Sequence, residues 1–152
     1  MIEDELRVWR GMRMPSNPVT LQVQKGAGAF WCFSNASYLQ RVTLEISASN
    51  ENPYVFEGSG EGQLMTCDRS GGPTLPFTEP ADFTVTATFE YSETVDPPQF
   101  KMAHILKEPV VDRTTSRYIA QVESEDSTDE DDNDSWLQVV SWARGASAGH
   151  AG

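Results

Sequence analysis

The chain has 152 residues, 38% of them hydrophobic, and a formal net charge of −12. This length fits one domain, and the negative charge argues against nucleic acid or an anionic membrane as a partner, because both need a basic surface. No stretch reaches the roughly 20 apolar residues of a membrane span, and Met1–Arg10 carries three acids before any apolar run. We therefore expect a soluble protein, cytoplasmic or secreted without a recognisable signal peptide.

Strand-like patterns dominate the chain from Val19 onward. Val19–Lys25 alternates apolar and polar residues, and Phe83–Tyr91 does so most clearly, which is typical of a strand with one buried face. The stretch Arg69–Pro80 is rich in proline and glycine, so it is predicted to be a loop. The predicted strands are 19–25, 29–34, 40–47, 54–57, 63–66, 83–91, 99–106, 117–122 and 136–142.

No segment keeps the 3.6-residue apolar period of a helix. Eight or nine short strands at spacings of roughly 8–12 residues favour an antiparallel sandwich or closed sheet. The predicted fold is all-β, an antiparallel β-sandwich of about nine strands. We expect an N-terminal arm over 1–17, the sandwich over 18–145 and a flexible C-terminal tail over 146–152. Cys32 and Cys67 could form one disulfide or remain buried thiols.

An acidic run lies between two of these predicted strands. Eight carboxylates and no Lys or Arg fall between Glu123 and Asp134, and removing them from the net charge of −12 leaves −4. Crowded carboxylates repel one another, and a divalent cation relieves that repulsion. Calcium accepts 6–8 oxygen ligands, including carboxylates and amides. The acidic segment, Glu125 to Asp134, is therefore predicted to bind calcium through oxygens at the alternating positions Asp129, Asp131 and Asn133.

Two other interpretations of the acidic segment were weighed. An EF-hand that begins at Asp129 would need Gly at its sixth position and Glu at its twelfth, where the chain has Asp134 and Val140. A solvated acidic run is the usual explanation of such charge, but the flanking strands and the amide of Asn133 favour a metal site.

Three further motifs were considered for chemistry. In Asn35-Ala36-Ser37, Asn35 could be a metal ligand, part of a plain turn or the attachment residue of an N-glycosylation sequon. Gly58–Gly62 is glycine-rich but lacks a following helix pattern and a lysine, so it is predicted to be a turn rather than a phosphate site. His104 has no Cys or Ser context for nucleophilic catalysis. We therefore predict a binding protein and not an enzyme.

The pattern Glu125-Asp126-x-x-Asp129-x-Asp131-x-Asn133-Asp134, followed by a strand ending at Trp142, resembles the calcium loop of the soluble two-calcium fucose- and mannose-binding lectins of bacteria. Phe33–Ser37 and the alternating strand after it resemble the family segment that supplies an Asn ligand and a sugar-specificity loop. The resemblance covers residues 18–145.

The resemblance implies two calcium ions side by side, with vicinal hydroxyls of a monosaccharide completing both coordination shells. One ion would be held by Glu125, Asp129, Asp131 and Asp134. The other would be held by Asn35, Asp131, Asn133 and Asp134. Asp126 would accept a hydrogen bond from the sugar, and Ala36 and Ser37 would contact it. The implied partners are fucose- or mannose-containing glycans.

The sequence departs from the family at three places. Glu130 and Asp132 add charge where the family often has an aromatic residue or an amide. The family chain ends at a Gly whose carboxylate reaches a partner subunit's site, whereas Gly145 is followed here by seven residues. A homodimer is thus possible, but its family geometry is in question. Tyr38 is bulkier than the family's residue, and it could stack on a sugar or block one. The alternative functions are a calcium-stabilised structural or interaction module without sugar binding, and an enzyme, for which no acid pair is identified.

Overall fold

The computed structural model describes residues 16–105, 107–125 and 135–143, and these ranges contain ten strands and no helix. The described ranges therefore contain no helix that is long and apolar enough to cross a membrane. The strands are β1 (Val19–Val23), β2 (Gly26–Ile46), β3 (Tyr54–Leu64), β4 (Thr66–Cys67), β5 (Thr74–Glu79), β6 (Phe83–Ser92), β7 (Lys101–Met102), β8 (Val110–Arg113), β9 (Arg117–Ser124) and β10 (Ser135–Trp142).

The long strand β2 belongs to two sheets. Its first half pairs with β5 and β10, and its second half pairs with β3 and β6. Between the halves, the pairing with β3 shifts register at Ser34, Ala36 and Gln40. The first sheet runs β5–β2–β10–β9–β8. The second runs β3–β2–β6–β1, with β4 paired to β3 and β7 paired to β6.

The two sheets stack face to face. Phe77 of the first sheet packs edge-on against Phe83 of the second, with ring centroids 5.2 Å apart. Burial alternates residue by residue along β6, β9 and β10, as expected of strands with one inward face. The core between the sheets contains Phe30, Leu44, Phe89 and Leu137, each fully buried. The predicted antiparallel sandwich is confirmed, with ten strands instead of about nine.

Both cysteines lie in this core as free thiols. Burial raises the pKa of the Cys32 thiol well above its ordinary value, and the neighbouring Cys67 raises that pKa further. Of the two possibilities left open by the sequence, the structure therefore has two buried free thiols, and that of Cys32 resists ionisation.

Several local predictions were wrong. The predicted loop Arg69–Pro80 contains β5, where Pro76 is tolerated because β5 pairs only with β2 and so lies at a sheet edge. The predicted turn Gly58–Gly62 lies within β3, where Gly60 and Gly62 adopt φ of 102° and 66°. Strand β8 was not predicted, because all four of its residues are exposed and show no alternation of buried and exposed positions.

The two ends of the chain, 1–15 and 144–152, lie outside the described residues, so the predicted arm and tail boundaries stay predictions. Asn17 is nevertheless bound to the sandwich. Its Nδ2 donates to the carbonyls of Phe89 and Ala103 at 2.7 and 2.8 Å, and its Oδ1 accepts the Phe89 amide at 3.1 Å.

Candidate metal and sugar site

Three serines form a row across one end of the first sheet. Ser135 of β10 pairs with Ser34 of β2 on one side and with Ser124 of β9 on the other. All three are completely buried. The Ser124 hydroxyl is hydrogen-bonded to the Ser135 hydroxyl, and it also lies 3.3 Å from the Ser135 carbonyl oxygen. In this serine row, Ser124 ends β9, Ser135 begins β10 and Ser34 lies within β2, so the row lies where the chain enters and leaves the acidic segment.

Asn35 and Glu125 come directly after two members of the serine row. Asn35 follows Ser34 on β2, Glu125 follows Ser124 on β9, and the strand between them is β10. Adjacent strands lie about 4.8 Å apart, so the two Cα atoms are separated by about 10 Å. The remaining acidic segment, 126–134, begins beside one of these residues and ends at Ser135, between them. The register therefore brings the two most widely separated predicted ligands to the same end of the sheet.

Glu125 is almost completely buried, with 1% of its surface exposed. Its backbone exchanges two hydrogen bonds with His104, each of 2.8 Å. A carboxylate at this depth is costly unless a cation or hydrogen bonds compensate its charge. The position therefore suits a metal ligand better than a solvated surface acid. No sequence pattern indicates that His104, an exposed residue, pairs with Glu125.

The side chain of Asn35 is held by the glycine-rich part of β3. Its Oδ1 accepts the backbone N–H of Gly62 at 3.1 Å, and the left-handed φ of 66° at Gly62 directs that N–H. An amide oxygen has two lone pairs, so one remains for a metal. A half-buried, hydrogen-bonded Asn35 within β2 fits a ligand better than a plain turn or a glycan attachment point. The glycines were the available sequence signal for this contact.

Ala36 and Ser37 follow Asn35 where β2 passes from one sheet to the other. Ala36 is half-buried and Ser37 is exposed, so both lie at the surface beside Asn35. The ring of Tyr38 stacks on Tyr91, with centroids 5.9 Å apart and an interplanar angle of 16°, and it packs against the core. Tyr38 therefore packs against the core and Tyr91, and Ser37 is the more exposed of the two side chains.

The other predicted site residues, namely Asp126, Asp129, Asp131, Asn133 and Asp134, lie outside the described residues. Within the described ranges, no three His, Cys, Asp or Glu side chains cluster closely enough to hold a metal. The chemistry of the described ligands still fits calcium, because Asn35 and Glu125 offer the amide and carboxylate oxygens that this hard cation prefers. A complete ion site needs the carboxylates of the acidic segment as well.

Comparison with known proteins gives one family match. The family model described as fucose-binding lectin II (PA-IIL) matches residues 19–144. No curated protein matches the chain in a sequence comparison.

Three solved structures have a similar fold. The C-terminal domain of the BC2L-C lectin from Burkholderia cenocepacia is 16% identical and has a TM-score of 0.56, with 84% of this chain and 97% of that chain covered. The high-affinity mannose-binding lectin of Ralstonia solanacearum is 20% identical, with a TM-score of 0.53 and coverage of 83% and 96%. The Chromobacterium violaceum lectin CV2L, in complex with alpha-methyl-fucoside, is 17% identical, with a TM-score of 0.54 and coverage of 83% and 96%.

Proposed function

The chain belongs to the fucose-binding lectin II (PA-IIL) family, whose members bind carbohydrates and are not enzymes, and on that premise we propose that it is a calcium-dependent lectin. It recognises fucose- or mannose-type monosaccharides through two calcium ions at the serine-row end of the sandwich. The observation that carries the proposal is the register that sets Asn35 and Glu125 on either side of the β10 strand start.

The proposed ligands divide between the two ions. Glu125, Asp129, Asp131 and Asp134 hold the first ion. Asn35, Asp131, Asn133 and Asp134 hold the second, and Asp131 and Asp134 are shared. Shared carboxylates offset the repulsion between two divalent cations.

Bound calcium would supply coordination positions for vicinal sugar hydroxyls. The protein's part is to hold its oxygens in place before the sugar arrives, and the buried serine row and the Gly62–Asn35 hydrogen bond support that role. Ala36 and Ser37 contact the sugar from the exposed bend of β2. Asp126, the residue after Glu125, accepts a hydrogen bond from a sugar hydroxyl.

Calcium titration of thermal unfolding tests the metal half of the proposal. A ligand present at 100 times its Kd stabilises the native state by about 2.7 kcal/mol per site, and about 1 kcal/mol shifts the Tm of a chain of this size by roughly 2–4 °C. The wild-type Tm should therefore rise by several degrees with calcium. Asp131→Ala, which removes a shared ligand, should abolish the rise. Glu51→Ala is the matched control, since Glu51 is an exposed carboxylate remote from the serine row.

Binding of methyl fucoside and methyl mannoside, measured by calorimetry with and without calcium, tests the sugar half. Binding should require calcium, disappear in Asp131→Ala and persist in Glu51→Ala. Sugar binding that survives excess chelator would contradict the proposal. A calcium-induced rise in Tm with no saccharide binding would instead identify a calcium-stabilised module.

A further inference from the structure

The two sheets of the sandwich leave a seam between their edge strands on each side. On one side, β8 of the first sheet lies beside β1 of the second. Arg113 of β8 closes this seam, because its Nη2 donates to the Gln22 carbonyl of β1 at 2.7 Å. Its guanidinium carbon lies 4.9 Å from the ring centroid of Tyr118, a buried residue. A guanidinium stacked on an aromatic ring therefore covers the core at this closed seam.

The seam on the other side, between β5 and β3, is open. It holds a cleft of about 520 Å³ that is formed by residues 46–51, Tyr54, residues 75–77 and Glu79. We call it the edge cleft. Its volume lies in the range of pockets that bind small ligands, whereas the closed seam leaves only about 280 Å³. None of the residues that form the edge cleft is a Lys or Arg, so it has no counterpart of Arg113.

The floor of the edge cleft is apolar and aromatic. Leu75 and Phe77 lie on the inward side of β5. The Phe77 ring packs against the rings of Phe30 and Phe83, with centroids 5.1 and 5.2 Å apart, so the core fixes its position. Phe77 is nevertheless only half-buried, and it lines the cleft. A flat group can therefore stack there without any rearrangement of the core.

The turn between β2 and β3 forms the facing wall, and hydrogen bonds fix its shape. Asn52 Oδ1 accepts the Ile46 amide at 2.7 Å, and Asn52 Nδ2 donates to the carbonyls of Ile46 and Ser49 at 2.8 and 3.0 Å. The Ser49 hydroxyl is hydrogen-bonded to the Tyr54 hydroxyl and accepts the Glu51 amide at 3.0 Å. The wall is thus ordered before a ligand arrives, which lowers the entropic cost of binding.

Each wall of the edge cleft contributes one carboxylate. Glu79 follows Leu75 and Phe77 on the inward side of β5, and Glu51 lies in the facing turn. Among the described residues, no Lys or Arg forms an ion pair with either carboxylate. A guanidinium suits an aromatic floor between two carboxylates, because it stacks on rings and donates to carboxylates through a planar fork. A lysine ammonium offers a point charge without a planar surface.

We propose that the edge cleft binds an arginine side chain presented by a peptide segment of a partner protein. The guanidinium stacks on the Phe77 ring and donates to the carboxylates of Glu79 and Glu51. The ligand thereby completes the open seam in the way that Arg113 completes the closed one. Charge supports a cationic occupant as well, because the chain has a net charge of −12.

The edge cleft is remote from the proposed sugar site. Glu79 pairs with Gly26 at the start of β2, and Ser34 of the serine row lies eight positions further along the same strand. Eight residues of extended chain span about 27 Å. The edge cleft is therefore a second binding site at the opposite end of the sandwich.

NMR titration of the full, isotope-labelled chain tests the proposal. The probe is acetyl-arginine methylamide, which presents the side chain as a peptide does. The amide signals of Glu51, Tyr54 and Phe77 should shift and saturate with a millimolar Kd, as expected of so small a ligand. The citrulline analogue keeps the shape without the charge and should bind at least about tenfold more weakly. The lysine analogue should bind at least about threefold more weakly.

Two isosteric variants locate the contact. Glu79→Gln and Glu51→Gln should each raise the Kd of the arginine probe by about threefold or more, and the double variant should bind more weakly than either. Glu108→Gln is the matched control, because Glu108 is an exposed carboxylate at the closed seam. It should leave the Kd unchanged.

Several results would overturn the proposal. These are a probe that does not shift the three signals, a citrulline analogue that binds as tightly as the arginine probe, and an unchanged Kd in the double variant. Spermidine that binds more tightly than the arginine probe would identify a polyamine site instead. Binding that appears only in Arg7→Gln/Arg10→Gln/Arg13→Gln would show that the chain's own arginines fill the cleft. The outcome is independent of the proposed lectin function, because these measurements involve neither calcium nor sugar.

Discussion

The buried hydroxyl pair of Ser124 and Ser135 predicts an asymmetric cost of substitution. Ser124→Ala removes the hydroxyl partner of Ser135, whose side chain is completely buried, and an unsatisfied buried hydroxyl costs about 1–3 kcal/mol. Ser135→Ala costs less, about 0.5–1.5 kcal/mol, because the Ser124 hydroxyl keeps the Ser135 carbonyl oxygen at 3.3 Å. The double variant removes both hydroxyls, so its cost should be smaller than the sum of the two single costs.

Urea unfolding in excess chelator measures these free energies without any contribution from calcium. Ser141→Ala is the matched control, because the Ser141 hydroxyl is buried at the other end of β10 and donates to the Gln24 carbonyl at 2.7 Å. Its cost should add to that of Ser124→Ala, as expected for distant sites. If Ser135→Ala costs more than Ser124→Ala, or if the Ser124–Ser135 cycle is additive, the hydroxyls are not coupled as described.

Two further predictions concern the core. Gly28→Ala should destabilise the fold by at least about 3 kcal/mol, because its Cβ would lie 1.9 Å from the Val140 carbonyl oxygen. In the same urea assay, Gly72→Ala should be close to neutral, because its Cβ would meet no atom within 4 Å. The free energy of unfolding should also fall as pH rises above 9, the ordinary pKa of a thiol. Burial raises the pKa of Cys32 in the folded chain, so unfolding releases a proton in this pH range. The free energy of unfolding should then decrease by up to about 1.4 kcal/mol per pH unit. Cys32→Ala should flatten that slope between pH 9 and 10, and equal slopes would refute the assignment.

Alternating hydrophobicity was sufficient to predict most of the sandwich from the sequence. Strands β6, β9 and β10 bury every second residue, and their predicted bounds differ from the observed ones by at most two residues. The pattern failed at two strands that lie at sheet edges. β5 carries Pro76 at a sheet edge, and β8 is exposed on both faces, so neither shows the expected signal.

The sequence allowed candidate ligands to be named, but not the residues that contact them in the fold. Asn35 and Glu125 were predicted as ligands, and the β2–β10–β9 register sets them at one end of a sheet. Gly62 is hydrogen-bonded to Asn35, and His104 is hydrogen-bonded to Glu125. The two members of each pair are distant in sequence, so no local sequence pattern could predict these contacts. The sequence pattern also did not show that Trp31, Trp136 and Trp142 lie outside the core, because alternation alone does not tell an outward tryptophan from a core one.

The continuity of β2 determines where the chain can accept a change of length. Residues 35–39 span the shift in its pairing with β3, so an insertion there lengthens an irregular stretch and spares the flanking ladders. The same insertion after Val42 would move Leu44 and Ile46 from the core to the solvent side, because side chains alternate along a strand. Libraries of variable length therefore belong at 35–39, whereas the flanking parts of β2 accept only point changes on their outward side.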